Sequence, residues 1–304
     1  MEITEHIRPG EVKATTHPAP LLSLLIPSWN NLEYLRLCVD SVRRHSALPI
    51  QIIVHVNDGR DGTLEWVKTQ PDVDFTYSVE NVGVCYALNH ARSLAKGEYI
   101  VYINDDMYVC PGWDTVLMEE VRAIGHNWFF LSATMIEPRA TGNPAVLVED
   151  YGTSVEDFRE ASLLAGFAAL PASDWMGATW PPNIVHKDVW DLVGGYSIEF
   201  SPGLYSDPDF SMKLWTMGVR LFKGVAGSRV YHFMSKSLGR VTLNDGESTF
   251  VSKWGITSGF LTRRMLKRGQ PFTGPAADVP LQSGQRLKMT WKRLRASLHR
   301  DTPL

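Results

Sequence analysis

Between residues 21 and 106 short apolar runs alternate four times with segments of helical period, and this alternation restricts the fold more than any other feature of the chain. LLSLLIP (Leu21 to Pro27) is continuously apolar, closes on a proline, and suits a strand buried on both faces. Leu32, Leu35, Val39 and Val42 then recur at helical spacing behind a candidate N-cap at Asn30 or Asn31. IQIIVHVND (Ile50 to Asp58) reads as a second strand, Thr63 to Gln70 as a short helix and Phe75 to Val79 as a third strand. A helix entered at Gly83 and closed by Gly97 leads to EYIVYINDD, a fourth strand that ends in acids. Strands joined through helices run parallel, with right-handed crossovers and helices on both faces of the sheet. The expected class is therefore α/β, with a mostly parallel sheet flanked by helices.

In such sheets ligands bind beyond the carboxyl ends of the strands. Three of those ends carry polar clusters: Pro27-Ser28-Trp29-Asn30, Asn57-Asp58-Gly59 and Asn104-Asp105-Asp106. Adjacent carboxylates at a strand end repel each other unless something positive joins them. A divalent cation shared with substrate phosphates is one solution, and a plain Asx turn is the other reading. His232, in RVYHFMSKS, gains meaning only if the fold brings it near Asp106. Asp207 and Asp209 stand before Phe210, Leu214 and Trp215, a helical pattern stopped by Gly218. Asp207, followed by Pro208, is either a helix cap or a carboxylate base. In DWMGATWPPN, Trp175 reads as core and Trp180 as a surface on which a sugar ring can stack.

Several chemistries lack their signatures. No GxGxxG follows the first strand, and GxxxxGK[ST], GxSxG and HExxH do not occur, which argues against dinucleotide, P-loop, hydrolase-elbow and zincin sites. A net charge of -3 gives no global field for nucleic acid. The 304 residues are 44% hydrophobic and hold three scattered cysteines, Cys38, Cys85 and Cys110, consistent with reduced thiols in the cytoplasm. The first twenty residues read as a flexible arm without the apolar stretch of a signal peptide, and no apolar run is long enough for a transmembrane helix. Charge is unevenly placed: residues 261–304 hold ten Lys or Arg against Asp278 and Asp301. Residues 269–285 read as a linker. Beyond it Leu287, Trp291, Leu294 and Leu298 alternate with Arg286, Lys288, Lys292, Arg293 and Arg295, a basic amphipathic helix that either lies on an anionic membrane surface or packs on the body.

Five segments in order resemble glycosyltransferase family 2. LLSLLIPSWNNLEYLRLCVDSV is similar to its opening strand and helix, VHVNDGRDGT to its second-strand turn, and ENVGVCYALNHARSLAKGEYIVYINDD to its Asn-x-Gly helix and acidic metal motif. VGGYSIEFSPGLYSDPDFSMKLWTMG resembles its Gly-Gly-Phe and Glu-Asp segments, and YHFMSKSLGR its late histidine loop. The resemblance implies a GT-A (nucleotide-diphospho-sugar transferase) fold over residues 21–260, with a nucleotide half at about 21–110 and an acceptor half at about 111–260, followed by the basic helical tail. It implies a metal-dependent inverting transfer from a nucleotide-diphosphate sugar (UDP, dTDP or GDP) to a hydroxyl of a glycan or lipid-linked acceptor. The implied setting is bacterial surface polysaccharide synthesis, in the cytoplasm or peripherally on the inner face of its membrane.

Carried over by position, Pro27, Ser28, Asn30, Asp58, Asn81, Gly83 and Asp105 would serve the nucleotide, and Asp106 and His232 would hold Mn2+ or Mg2+. Asp207 would be the base, with Asp209 as its fallback beside the acceptor, and Trp180 would contact the acceptor. Two positions depart from the pattern: Asn104 replaces the first acid of the metal motif, and Ser206 replaces the Glu before the base. A retaining transferase on the same fold and a non-catalytic sugar- or nucleotide-binding module remain as alternatives.

Overall fold

The computed structural model describes residues 19–234, 244–281, 283–284 and 289–294. The expected arm up to residue 18, residues 235–240 of the late loop, and Arg286, Leu287, Lys288, Arg295 and Leu298 of the expected tail helix lie outside the described residues.

The first half follows the sequence pattern: β1 (Leu22–Trp29), α1 (Leu32–His45), β2 (Ile50–Asn57), α2 (Thr63–Thr69), β3 (Val73–Ser78), α3 (Gly83–Arg92) and β4 (Tyr99–Tyr102). There follow β5 (Met107–Val109), α4 (Trp113–Ile124), β6 (Phe129–Glu137), β7 (Val146–Val148), α5 (Glu160–Gly166), β8 (Trp175–Met176), β9 (Asn183–His186), α6 (Lys187–Val193), α7 (Ser206–Thr216), β10 (Leu221–His232) and α8 (Gly246–Trp254). One sheet runs β3-β2-β1-β4-β9-β6-β10-β5. β1 to β4 are mutually parallel, as are β6 and β10, while β9 is wedged antiparallel between β4 and β6. Apolar side chains cover both faces. Leu35, Val39, Trp113 and Leu117 pack on one, and Leu88, Trp190, Phe210 and Phe250 on the other.

Four local expectations are corrected. β1 does not stop at Pro27 but runs to Trp29, because its pairing with β4 ends at Leu25↔Tyr102 and the proline lies beyond that ladder. Asn31 holds the N-cap position of α1 without a capping bond, its side chain being drawn to Asp105 instead. α3 ends at Arg92 rather than Gly97; glycine is needed at 97 because its Cα abuts Ser23, whose Oγ accepts the Gly97 amide at 2.8 Å. The expected linker is laid on the body. Phe272 and Ala276 donate backbone amides to Asp174 and Arg220, and Arg220 pairs with Asp278 at 3.1 Å.

Within the tail, Met289 is buried and Lys292 meets Glu247 of α8 at 2.9 Å, whereas Trp291 and Leu294 are each 61% exposed. Among the described residues no helix is long and apolar enough to cross a membrane.

Candidate active site

The carboxyl ends of β1 and β2 are locked together. Asn30 and Asp58 both take left-handed backbone angles (φ 47 and 64), which Asn and Asp tolerate better than most residues. Asn30 Nδ2 donates to Asp58 Oδ2 at 3.0 Å, and Arg60 donates to the same carboxylate from solvent. Arg60 foremost holds Asp58 below the usual carboxylate range. Ser28 is buried, and its hydroxyl meets no partner among the described residues.

The acids after β4 are separated by the fold. Asn31 Nδ2 donates to Asp105 Oδ1 at 3.1 Å, and Tyr102 donates to the Asn104 side chain at 2.8 Å. Asp106 turns into the sheet and is only 6% exposed. The antiparallel β5–β10 ladder pairs Met107 with His232, so Asp106, beside Met107, comes next to His232. His232 Nε2 stands 3.5 Å from Asp106 Oδ2, and Nδ1 stands 2.9 Å from Glu137 Oε1. Burial opposes a charged imidazole, but Asp106 and then Glu137 outweigh it and raise His232 to about 10. Asp106 and His232 are thus brought together. Sequence reading missed Glu137; its one signal is an acid closing the apolar run FFLSATMIE. No group of three or more His, Cys, Asp or Glu side chains poised to hold a metal ion exists among the described residues.

The two acids of SDPD have opposite surroundings. α7 begins at Ser206, so Asp207 lies in the first turn and not at the cap, which is Tyr205 at φ 71. Tyr196 Oη donates to Asp207 Oδ1 at 3.2 Å. Asp207 keeps partial contact with solvent, yet protein surrounds it closely enough that burial pushes it up to about 7 against the opposing Tyr196 bond. Asp209 is fully buried, and its Oδ1 meets Lys253 Nζ at 2.9 Å and Trp254 Nε1 at 2.8 Å. Its expected place beside the acceptor is therefore corrected: it ties α7 to α8.

Tyr196, also missed in the sequence, is held on three sides. Asn89 clasps its backbone through bonds of 2.7 and 2.9 Å, its ring stacks on Phe210 with centroids 4.6 Å apart, and buried Asn183 lies beside its hydroxyl.

Gly83 has a packing reason to be glycine: its φ is +78, and a Cβ there would lie 2.5 Å from Pro202 Cα of the loop that leads to α7. Asn81 accepts the Gly83 amide at 3.0 Å, which places it at the amino end of α3. Trp175 is core, its Nε1 donating to Thr134 at 2.9 Å, and its ring fills the space a Cβ on Gly224 would need. Trp180 is half-buried, with the Arg268 guanidinium 4.0 Å above its ring. Pro27 stands one residue before Ser28, in register with His55.

Residues 23–148 match the model of glycosyl transferase family 2. Over 99 residues the chain is 33% identical to chondroitin synthase of Pasteurella multocida, covering 31% of this chain and 10% of that protein. It is 32% identical over 98 residues to the putative glycosyltransferase EpsH of Bacillus subtilis, covering 31% of this chain and 28% of EpsH. The putative colanic acid biosynthesis glycosyl transferase WcaA of Escherichia coli is 26% identical over 137 residues, covering 42% of this chain and 48% of WcaA. The matched stretch is thus less than half the length of each of these relatives.

Two solved structures share the fold. S. aureus TarS (residues 1–349) superposes with a TM-score of 0.55 at 12% identity, covering 92% of this chain and 72% of that one. GalNAc-T7, solved with UDP, GalNAc and Mn2+, gives 0.54 at 12%, covering 82% and 53%. The architecture is the GT-A fold. Residues 23–148, less than half of the chain, are similar to the glycosyl transferase family 2 domain.

Proposed function

We propose that the protein transfers a sugar from a nucleoside-diphosphate donor to a hydroxyl of a glycan or lipid-linked acceptor, in one displacement that inverts the anomeric centre. Asp207 carries this reading. It is a carboxyl raised to about 7 whose named partner is a phenol, whereas the neighbouring Asp209 has its charge cancelled by Lys253. A base that titrates near neutral pH is matched to removing a hydroxyl proton. The acceptor hydroxyl attacks the sugar from the face opposite the diphosphate, and Asp207 takes its proton as the new bond forms. The leaving diphosphate gathers charge at that moment.

Pro27, Ser28, Asn30, Asp58, Asn81 and Asp105 serve the nucleotide in this reading, with Asp58 held ionised by Arg60 to accept from the base. The residues present fit a divalent cation, Mn2+ or Mg2+. Asp106 would supply a carboxylate and His232 its Nε2, the cation taking the place of the proton that Asp106 favours there, while Glu137 fixes the ring from behind as an outer partner does in metal sites. Two protein ligands would suffice for a cation that is shared with substrate phosphates. The bound cation would supply charge neutralisation on the leaving diphosphate.

The TarS structures with UDP and with UDP-GlcNAc favour a uridine donor, and the named relatives favour bacterial polysaccharide synthesis. The exposed Trp291 and Leu294 beside Arg293 support a peripheral place at the cytoplasmic membrane.

The test is a thermal-shift panel of UDP, GDP, dTDP and CMP with and without Mn2+. A ligand at a hundredfold excess over its dissociation constant stabilises the folded state by about 2.7 kcal/mol. A Mn2+-dependent shift with UDP supports the reading, and no shift with any nucleotide overturns it.

A further inference from the structure

The segment 261–268, LTRRMLKR, carries Arg263, Arg264, Lys267 and Arg268 and no acid. It is not a loose strand of charge. Leu261 and Leu266 are fully buried, and residues 261–265 pack against α7, which bears Asp207 at its first turn. The backbone of Arg268 is fixed: its amide donates to Thr262 at 2.9 Å, and Gly177 lies so close that a Cβ there would stand 2.7 Å from Arg268 Cα.

Its guanidinium lies over Trp180, with Cζ 4.0 Å from the ring centroid. Trp180 is joined step by step to the site. Its carbonyl accepts from Ser132 Oγ at 2.9 Å, Ser132 is paired in register with Asn183, and Asn183 lies beside the Tyr196 hydroxyl that meets Asp207.

The protein contains its own control for this arrangement. Arg220 also lies 4.0 Å over an indole, that of Trp215, but its charge is answered: it donates to the carbonyls of Trp215 and Val219 and pairs with Asp278 at 3.1 Å. Arg268 has no such answer. No carboxylate or carbonyl among the described residues accepts from its guanidinium. Burial, with Arg263 adding to it, disfavours its charge. A half-buried cation without a counter-ion is costly, and stacking on an indole offsets only part of that cost. A cation–π contact occupies none of the guanidinium N–H donors, which form the fork that matches a carboxylate or phosphate.

The geometry points to an acidic acceptor: Arg268 receives a carboxylate or phosphate on the accepting saccharide while Trp180 borders its ring. This rests on the transferase reading, since it names the class of molecule that enters the acceptor side of that site.

The experiment follows the Trp180 indole N–H by NMR while titrating methyl β-glucuronide, glucose 6-phosphate and the neutral methyl β-glucoside. Wild type, Arg268→Gln and Arg268→Lys are compared, and thermal shift with UDP and Mn2+ is run on each. At least one acidic probe is expected to bind about tenfold or more tighter than the glucoside, and the tighter of the two identifies the anion. Arg268→Gln brings it to the neutral level, and Arg268→Lys, which keeps the charge but loses the fork, falls between them. Equal binding of acidic and neutral probes, no response to either acid, or acid binding unchanged in Arg268→Gln overturns the inference. The UDP response is a separate readout. Its presence in Arg268→Gln shows that the variant is folded, and its absence in wild type counts against the donor reading and not against the anion site.

Discussion

The hydroxyl of Tyr196 donates to Asp207 across 3.2 Å, and this bond opposes the burial that lifts the carboxyl to about 7. The tyrosine stabilises the ionised base without supplying a cation, so the carboxylate keeps its basicity. Turnover should therefore rise with pH through about 6 to 8 and level off above, with kcat/KM measured at saturating metal as the check. Tyr196→Phe should move the inflection upward by a fraction of a unit, because it removes a bond to the charged form.

Asp207 should also cost stability, and the direction of the pH dependence follows from linkage. Its folded pKa lies above the ordinary 3.8, so the folded chain holds a proton that the unfolded chain has lost across pH 4 to 7. Stability from this group is therefore lost as pH rises through that window. Asp207→Asn should abolish turnover yet raise the unfolding free energy at pH 8 by on the order of 2–4 kcal/mol, seen as a higher melting temperature, with little gain at pH 4. Equal melting temperatures at pH 8 would refute the burial argument.

Asp209 differs in having a cation beside it. It is fully buried against Lys253 at 2.9 Å. Lys253→Met leaves that carboxylate without its cation and should destabilise by about 3 kcal/mol, read by urea denaturation. Nucleotide binding by the folded fraction should be unchanged.

Glu137 touches His232 and not the proposed donor, so its effect should pass through the histidine. Glu137→Gln keeps the shape and removes the charge 2.9 Å from Nδ1. It should weaken Mn2+-dependent UDP stabilisation by about tenfold to a hundredfold in metal affinity, while metal-free nucleotide binding stays the same. His232→Ala and Asp106→Ala should remove the metal dependence altogether.

Gly224 faces the Trp175 ring with no space for a Cβ. Gly224→Ala should lower stability by about 3 kcal/mol, the upper range for overpacking. The double variant Gly224→Ala with Trp175→Leu should recover part of the loss, as a thermal melt would show.

The strand ends were legible because alternation of apolar and helical segments is local, and a parallel sheet sends every such end to one side. That reasoning reached Asn30, Asp58, Asp105 and Asp106 before any coordinate, and motif resemblance added Asp207 and His232. It did not reach Glu137 or Tyr196. Each is an ordinary residue of its own segment and acquires a role only from a partner far along the chain, 95 residues away in the first case and 11 in the second.

By itself the sequence determined the periodicities, and with them the four parallel units and the side on which polar residues gather. Tertiary structure alone decided which of two acids two positions apart is given a lysine partner and which a phenol. Burial and counter-charge depend on what packs across a helix, and the pattern along one strand or helix carries no record of its neighbours. The same holds for the two stacked arginines. Arg220 and Arg268 look alike in sequence, and only Asp278 beside one, with no acid paired to the other among the described residues, separates a structural pair from a candidate anion site.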